Sequence, residues 1–323
     1  MFVELLGGIG DVLIALPAIQ ALGRSHPEAE LTVLTLPPGG ELLESDPLIH
    51  HVVYPDSNAR KSVEVLLARH AFDLIVSDTN YDNIDEVIKN SAASRVVTNL
   101  WRTPPPDERV GDRFLQILLS ENLIAADVIK PTQLHLTPAE ASRAREVLRL
   151  ISRPLVFLCP DAGMQIKRWS TANFVSLGQT LQQQYGATVI VPVGSDVEQA
   201  AGIANAIGNG AQILPRGKLR DLAGALACAD LVIAADTGPV RIAAAVGVPT
   251  ITLFGPSWHG RYGQPLPHIN LQGYPECSER VIGNFTEQRC WYSGVCPLKQ
   301  NWQTCMDAIS PNDVLAAAER LLV

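Results

Sequence analysis

Leu231-Val232-Ile233-Ala234-Ala235-Asp236-Thr237-Gly238-Pro239 is the stretch whose reading decides the fold. An unbroken apolar run ends in a polar turn and a helical run follows over residues 241–246, so a buried strand feeds directly into a helix. The first N–H groups of a helix have no internal partners and carry the positive end of its dipole, which favours an anion at such a junction. Thr237 and Gly238 are therefore a candidate diphosphate seat. Gly238 lets an oxygen approach the backbone, Thr237 adds a hydroxyl donor, and Pro239 is tolerated in the first turn. An ordinary strand-to-helix turn has the same composition, so the rest of the chain must decide between the two.

Outward from this junction the same alternation repeats. Strand signals at 155–159, 188–193, 212–214, 231–234 and 250–254 are separated by helical runs at 172–184, 198–207 and 219–227. An earlier series has strands at 2–6, 31–36, 51–54, 74–77 and 95–98, with helices at 11–24 and 62–69. Apolar strands without polar alternation belong to parallel sheets covered on both faces, and such sheets bind ligands beyond the carboxyl ends of their strands. Two doubly wound α/β domains facing a cleft are expected, 1–150 and 151–323. The boundary is expected at 148–154, where the helical run 139–150 ends in Ser152, Arg153 and Pro154.

The 323 residues are 47% hydrophobic and 18% charged, enough to bury a core in each domain. A net charge of -8 without a Lys/Arg-rich run argues against nucleic acid as a partner, because that grip needs clustered positive charge. The first residues lack a basic leader and meet Gly7, Gly8, Gly10 and Asp11 early, which reads as neither a secretory signal nor a membrane span. A cytoplasmic protein is expected, with any membrane contact peripheral and centred on Leu100-Trp101, where simple packing is the plainer reading.

The turn Gly7-Gly8-Ile9-Gly10-Asp11 follows the opening strand. It departs from the dinucleotide fingerprint, whose third glycine would fall at Val12 or Leu13, so a Rossmann oxidoreductase is poorly supported and no cofactor is expected. Gly8 and Gly10 permit a tight turn, and Asp11 is placed as a helix cap facing the expected cleft. Capping alone, worth about 1 kcal/mol, would explain an aspartate there.

Several segments together resemble the glycosyltransferases of the ADP-heptose:lipopolysaccharide heptosyltransferase type, family 9, and the resemblance spans nearly the whole chain. It is carried by Gly8-Ile9-Gly10-Asp11-Val12-Leu13 with Leu16-Pro17-Ala18, by Lys167-Arg168-Trp169, and by the segment from Gly194 to Glu198. It continues through Asp236-Thr237-Gly238, Ala243-Ala244-Ala245, Pro249 and Leu253-Phe254-Gly255-Pro256. The resemblance implies the two-Rossmann GT-B fold and inverting transfer of a sugar from a nucleotide-diphosphate donor, ADP-heptose or similar, to a hydroxyl of a glycan or glycolipid. The product would serve lipopolysaccharide or surface polysaccharide assembly. The acceptor would be held by the first domain and the donor by the second.

Such chemistry needs a carboxylate to take the proton of the attacking hydroxyl and cations to hold the departing diphosphate. The resemblance gives Asp11 the first role and Lys167 the second, with Arg168 as helper, Glu198 on the ribose hydroxyls and Asp236 contacting the donor sugar or orienting its turn. Read as residues alone, Lys167 and Arg168 are a solvated basic pair, Glu198 satisfies a helix dipole, and Asp236 stabilises its own turn. No metal is expected, since the carboxylates are scattered and cationic side chains can replace one. Arg241 stands where the family commonly has histidine; it can reach phosphate or sugar oxygens but cannot transfer a proton. It is also the feature favouring a non-catalytic nucleotide-sugar-binding protein of the same fold.

Cys277, Cys290, Cys296 and Cys305 crowd the end of the chain without a C-x₂₋₄-C pair, so reduced thiols are expected. After them, Ser310-Pro311-Asn312-Asp313 opens a helix to about residue 323, expected to pack back on the first domain.

Overall fold

Two short-strand parallel sheets form where the apolar runs predict them, and each is described by itself. The computed structural model describes residues 1–79, 81–100, 107–149, 151–298 and 304–322, and contacts divide the chain into Met1–His135 and Leu136–Val323.

The first unit runs β1 (Phe2–Leu5), α1 (Ile9–Ser25), β2 (Thr32–Thr35), β3 (His51–Val53), α2 (Ala59–Arg69), β4 (Leu74–Ser77), α3 (Ile84–Lys89), β5 (Arg95–Val97) and α4 (Val110–Ser120). Its strands pair in the order β3-β2-β1-β4-β5, all parallel. The two sequence directions of winding part between β1 and β4, so the carboxyl edge of that pair is the unit's natural ligand crevice. One face of the sheet closes through Phe2, Leu6, Leu34, Ile75, Ile84 and Ile88, all at most 8% exposed. Helix α1 packs on α4, and α2 on α3.

The second unit continues with α5 (Pro138–Leu148), β6 (Leu155–Cys159), α6 (Thr171–Tyr185), β7 (Thr188–Pro192), α7 (Val197–Ile207), β8 (Gln212–Leu214), α8 (Leu219–Leu226), β9 (Leu231–Ala235), α9 (Gly238–Ala245), β10 (Thr250–Phe254), α10 (His259–Tyr262), β11 (Ile269–Gln272), α11 (Arg289–Ser293), α12 (Thr304–Asp307) and α13 (Pro311–Leu322). The order β11-β10-β9-β6-β7-β8 is again wholly parallel, with the winding reversing between β6 and β9. Strand β9 is therefore central, as its unbroken apolar run demands. Beyond the elements expected from the sequence, the structure adds strand β11 and helices α3, α4, α10, α11 and α12.

The division falls between His135 and Leu136 rather than at the expected 148–154. The reason is α5. Its cap is reciprocal, Glu140 N donating to Thr137 Oγ1 and Thr137 N to Glu140 Oε2, and the same Glu140 takes both arms of Arg220 on α8 at 2.5 and 2.8 Å. That pair lowers the Glu140 pKa to about 2 and fastens α5 to the second unit. Helix α13, capped by Ser310 and Asp313 as expected, packs on α6, β9 and β10 of the second unit. Leu100 is 4% exposed, so it offers no surface to a membrane; Trp101 and Leu150 lie outside the described residues.

Candidate active site

The carboxyl edge of the second sheet gathers most of the expected residues. Strand β9 ends at Ala235 and delivers Asp236 to the switch point; a single helical turn over Gln165–Lys167, after β6, delivers Lys167. Lys167 Nζ lies 3.1 Å from Asp236 Oδ2 and 3.2 Å from its carbonyl oxygen. Arg241, one turn into α9, donates to Asp236 Oδ1 at 2.6 Å and to the Tyr262 carbonyl at 2.8 Å. Ser257 donates to Asp236 Oδ2 at 2.8 Å. Burial opposes ionisation of Asp236, but Lys167 and Arg241 outweigh it and, with Ser257, hold the carboxyl well below the usual carboxylate range.

Asp236 and Arg241 are each 8% exposed. Each oxygen of Asp236 accepts a bond from its own protein, and Arg241 is its buried counter-ion. This is the physical meaning of the departure at that position: a permanent cation here is matched by a buried carboxylate. Lys167 remains open to a ligand. It has three donors, spends two on Asp236, and rests 4.7 Å over the Trp291 ring, which leaves it 15% exposed.

Thr237 caps α9 with extended backbone but gives its side chain no capping role; its Oγ1 donates instead to Ala235 O at 3.2 Å. The first N–H groups of α9, around Gly238, are half-buried beside Asp236. Arg168, the expected helper, pairs with Asp161 at 2.8 Å and donates to Ala162 O. Asp161 also accepts the Ser195 N–H at 2.6 Å, and a Cβ on Gly194 would overlap it; this explains the glycine after β7. Glu198 stands exposed in the first turn of α7, behind the cap Asp196.

In the first unit, Asp11 is exposed in the first turn of α1 and its Oδ2 accepts the Gly8 N–H at 2.9 Å. A Cβ on Gly7 would overlap Asp11, so the glycine is what lets the carboxylate fold back over its turn. Gly8 itself is extended, at φ -75°, and Gly10 lies within α1.

Asp161, Ser257 and Trp291 escaped the sequence reading. Ser257 had a signal, since it directly follows Phe254-Gly255-Pro256; Trp291 is fifty-five residues from Asp236 in sequence and had none. The four late cysteines, all free, line one cavity of about 20 Å³ with Arg280 and Gln288. Burial pushes the Cys305 thiol up to about 12.

The model of glycosyltransferase family 9 (heptosyltransferase) matches residues 112–276, just over half of the chain. The chain belongs to glycosyltransferase family 9. It is similar to lipopolysaccharide heptosyltransferase 3 of Escherichia coli, 26% identical over 77% of this chain and 82% of that one. Among solved structures, a family 9 glycosyltransferase from Veillonella parvula superposes with TM-score 0.81 at 18% identity, covering 99% of this chain and 96% of the other. The Escherichia coli ADP-heptose lipopolysaccharide heptosyltransferase II gives 0.73 at 18% identity, over 99% and 98%. These likenesses show the GT-B fold. Family membership makes the protein a glycosyltransferase, and the non-catalytic reading loses its feature once Arg241 is seen as a buried counter-ion.

Proposed function

We propose that this family 9 enzyme transfers a heptose or related sugar, with inversion, from an ADP-heptose-like donor to a hydroxyl of a glycan or glycolipid in lipopolysaccharide or surface polysaccharide assembly. The observation that carries the reading is Lys167, an ammonium with one donor left, held by Asp236 beside the amino end of α9 at the switch point of the second sheet. A helix end contributes only about 0.3–1 kcal/mol toward an anion, so the diphosphate needs the lysine as well. In this reading the donor belongs to the second unit and the acceptor to the first. Asp11 removes the proton of the acceptor hydroxyl as its oxygen bonds to the anomeric carbon; the bond from that carbon to the diphosphate breaks, and Lys167 with the α9 N–H groups takes up the charge of the leaving nucleotide. Glu198 accepts from the ribose hydroxyls. The enzyme works on the cytoplasmic side, and any contact with the inner face of the cell membrane is peripheral. Among the described residues no helix is long and apolar enough to cross a membrane.

Asp11→Asn tests the mechanism. The amide oxygen still accepts from Gly8, so the variant should fold and bind ADP normally while transfer slows by about 10²–10⁴. Transfer at near the parental rate would reduce Asp11 to a cap.

A further inference from the structure

Two segments leave the switch point of the first sheet: Leu6-Gly7-Gly8 after β1, and Asp78 to Tyr81 after β4. They are tied together there. The Asp78 N–H donates to Glu4 O at 3.0 Å, and Tyr81 Oη donates to Leu6 O at 3.3 Å. Asp11 is fastened to the same turn through the Gly8 N–H. The carboxylate and the phenol thus share one three-residue anchor, and a shift of that turn moves both.

Tyr81 is 49% exposed although its hydroxyl is engaged, so the ring is what it presents to solvent. A ring fixed at both its backbone and its hydroxyl is a rigid, amphipathic contact surface that loses little conformational entropy when covered. The apolar C–H face of a sugar ring is a natural occupant.

Beneath this turn lies Glu4, on the face of β1 shared by Phe2 and Leu6, where the core needs an apolar side chain. It is 0% exposed. Its Oε2 accepts Ser77 Oγ at 2.6 Å and the Thr79 N–H at 3.2 Å, and among the described residues Oε1 has no partner. Burying a carboxyl with one oxygen unmatched is costly. An aliphatic residue would pack there but would leave the Thr79 N–H unanswered, and Thr79 follows β4 two residues before Tyr81.

We propose that Tyr81 is the acceptor-binding residue beside the base: its ring seats the sugar whose hydroxyl faces Asp11, and Glu4 is the positioning residue that holds Ser77 and Thr79 at the end of β4. This rests on the reading of Asp11 as base and of the first unit as the acceptor side.

The probes are ADP-heptose as donor, ADP alone, and a lipopolysaccharide core oligosaccharide stripped of its acyl chains. Tyr81→Ala should raise the acceptor KM and the oligosaccharide Kd by about tenfold or more, with the Kd for ADP within about twofold. Tyr81→Phe keeps the ring and should stay within about threefold of the parent, since only one hydrogen bond is lost. Glu4→Leu should raise the acceptor KM with kcat little changed, and Glu4→Gln, whose amide oxygen can still accept from Ser77 and Thr79, should restore it. An unchanged oligosaccharide Kd in Tyr81→Ala, with transfer still abolished in Asp11→Asn, would overturn the Tyr81 assignment and leave the base intact. Failure of the unaltered enzyme to bind the oligosaccharide while it binds ADP would sink the acceptor class itself, and the assignment with it.

Discussion

Each sheet carries a buried carboxyl group near the carboxyl edge of a central strand at the point where its winding reverses, and the pKa values of the two are shifted in opposite directions. Asp236 meets Lys167 and Arg241 and is held ionised well below the usual range, against the cost of its burial. Glu4 meets a serine hydroxyl and a backbone N–H, and burial, its largest influence, pushes its carboxyl up; Ser77 and Thr79 pull only partly the other way. The second unit therefore surrounds its carboxyl with cations, whereas the first sets its carboxyl among neutral donors. Glu4 lies within β1 and Asp236 just after β9, and their pKa values move in opposite directions because their neighbours in space differ.

The sharpest way to break this comparison is to remove the charge that pairs two cations. Asp236→Asn should cost about 3–5 kcal/mol in chemical denaturation at neutral pH, because Lys167 and Arg241 would be left without a counter-charge. Asp236 has a lowered folded-state pKa, so its contribution is present above the ordinary value of 3.8 and is lost as pH falls through the lower folded value. The gap between parent and variant should close in that acid window. A variant as stable as the parent at neutral pH would mean the cations find water instead.

Lys167→Ala asks whether the network serves the leaving group or only the fold. Turnover should fall by about 10²–10³ with the donor KM less affected, since the diphosphate charge grows toward the transition state. Equal losses in donor binding and turnover would make Lys167 a ground-state ligand only.

Removing the hydroxyl that completes the Asp236 shell is a smaller step. Ser257→Ala should cost about 1.5–3 kcal/mol of unfolding free energy, the range for a bond to a charged group. No loss would show that the two cations suffice.

The smallest effect is expected at Glu4, and it has the opposite sign. Its folded-state pKa is raised, so its favourable contribution is complete below the ordinary value of 4.5 and declines as pH rises through the higher folded value. Glu4→Gln should abolish this decline, flattening the melting temperature across that window by less than the Ser257→Ala effect. A parental profile that is already flat would mean that burial does not raise the Glu4 pKa and would end the contrast.

How legible was the site? Lys167, Asp236, Thr237, Gly238 and Arg241 were named from sequence, and the structure gathers them at one sheet edge. Their mutual bonding was not legible, because Lys167 and Asp236 are sixty-nine residues apart and nothing local says which oxygen meets which nitrogen. Arg241 was expected to face substrate; its inward turn follows from a carboxylate five residues earlier and a carbonyl twenty-one residues later, which one helical turn brings together. Glu4 passed unnoticed because a single acid in an apolar strand leaves no periodic trace.

By itself the sequence determined the two parallel sheets, since unbroken apolar strands alternating with capped helices report burial residue by residue, and neighbouring residues are enough to encode that pattern. It also determined the turn at Gly7, where Asp11, four positions on, leaves no room for a Cβ. Tertiary structure alone decided the division at His135, through the grip of Arg220 on Glu140, and the opposite directions in which the Glu4 and Asp236 pKa values move. Ionisation depends on desolvation and on charges a few ångströms away in space, and those distances are set only when β1 meets β4 and when β9 meets the turn carrying Lys167.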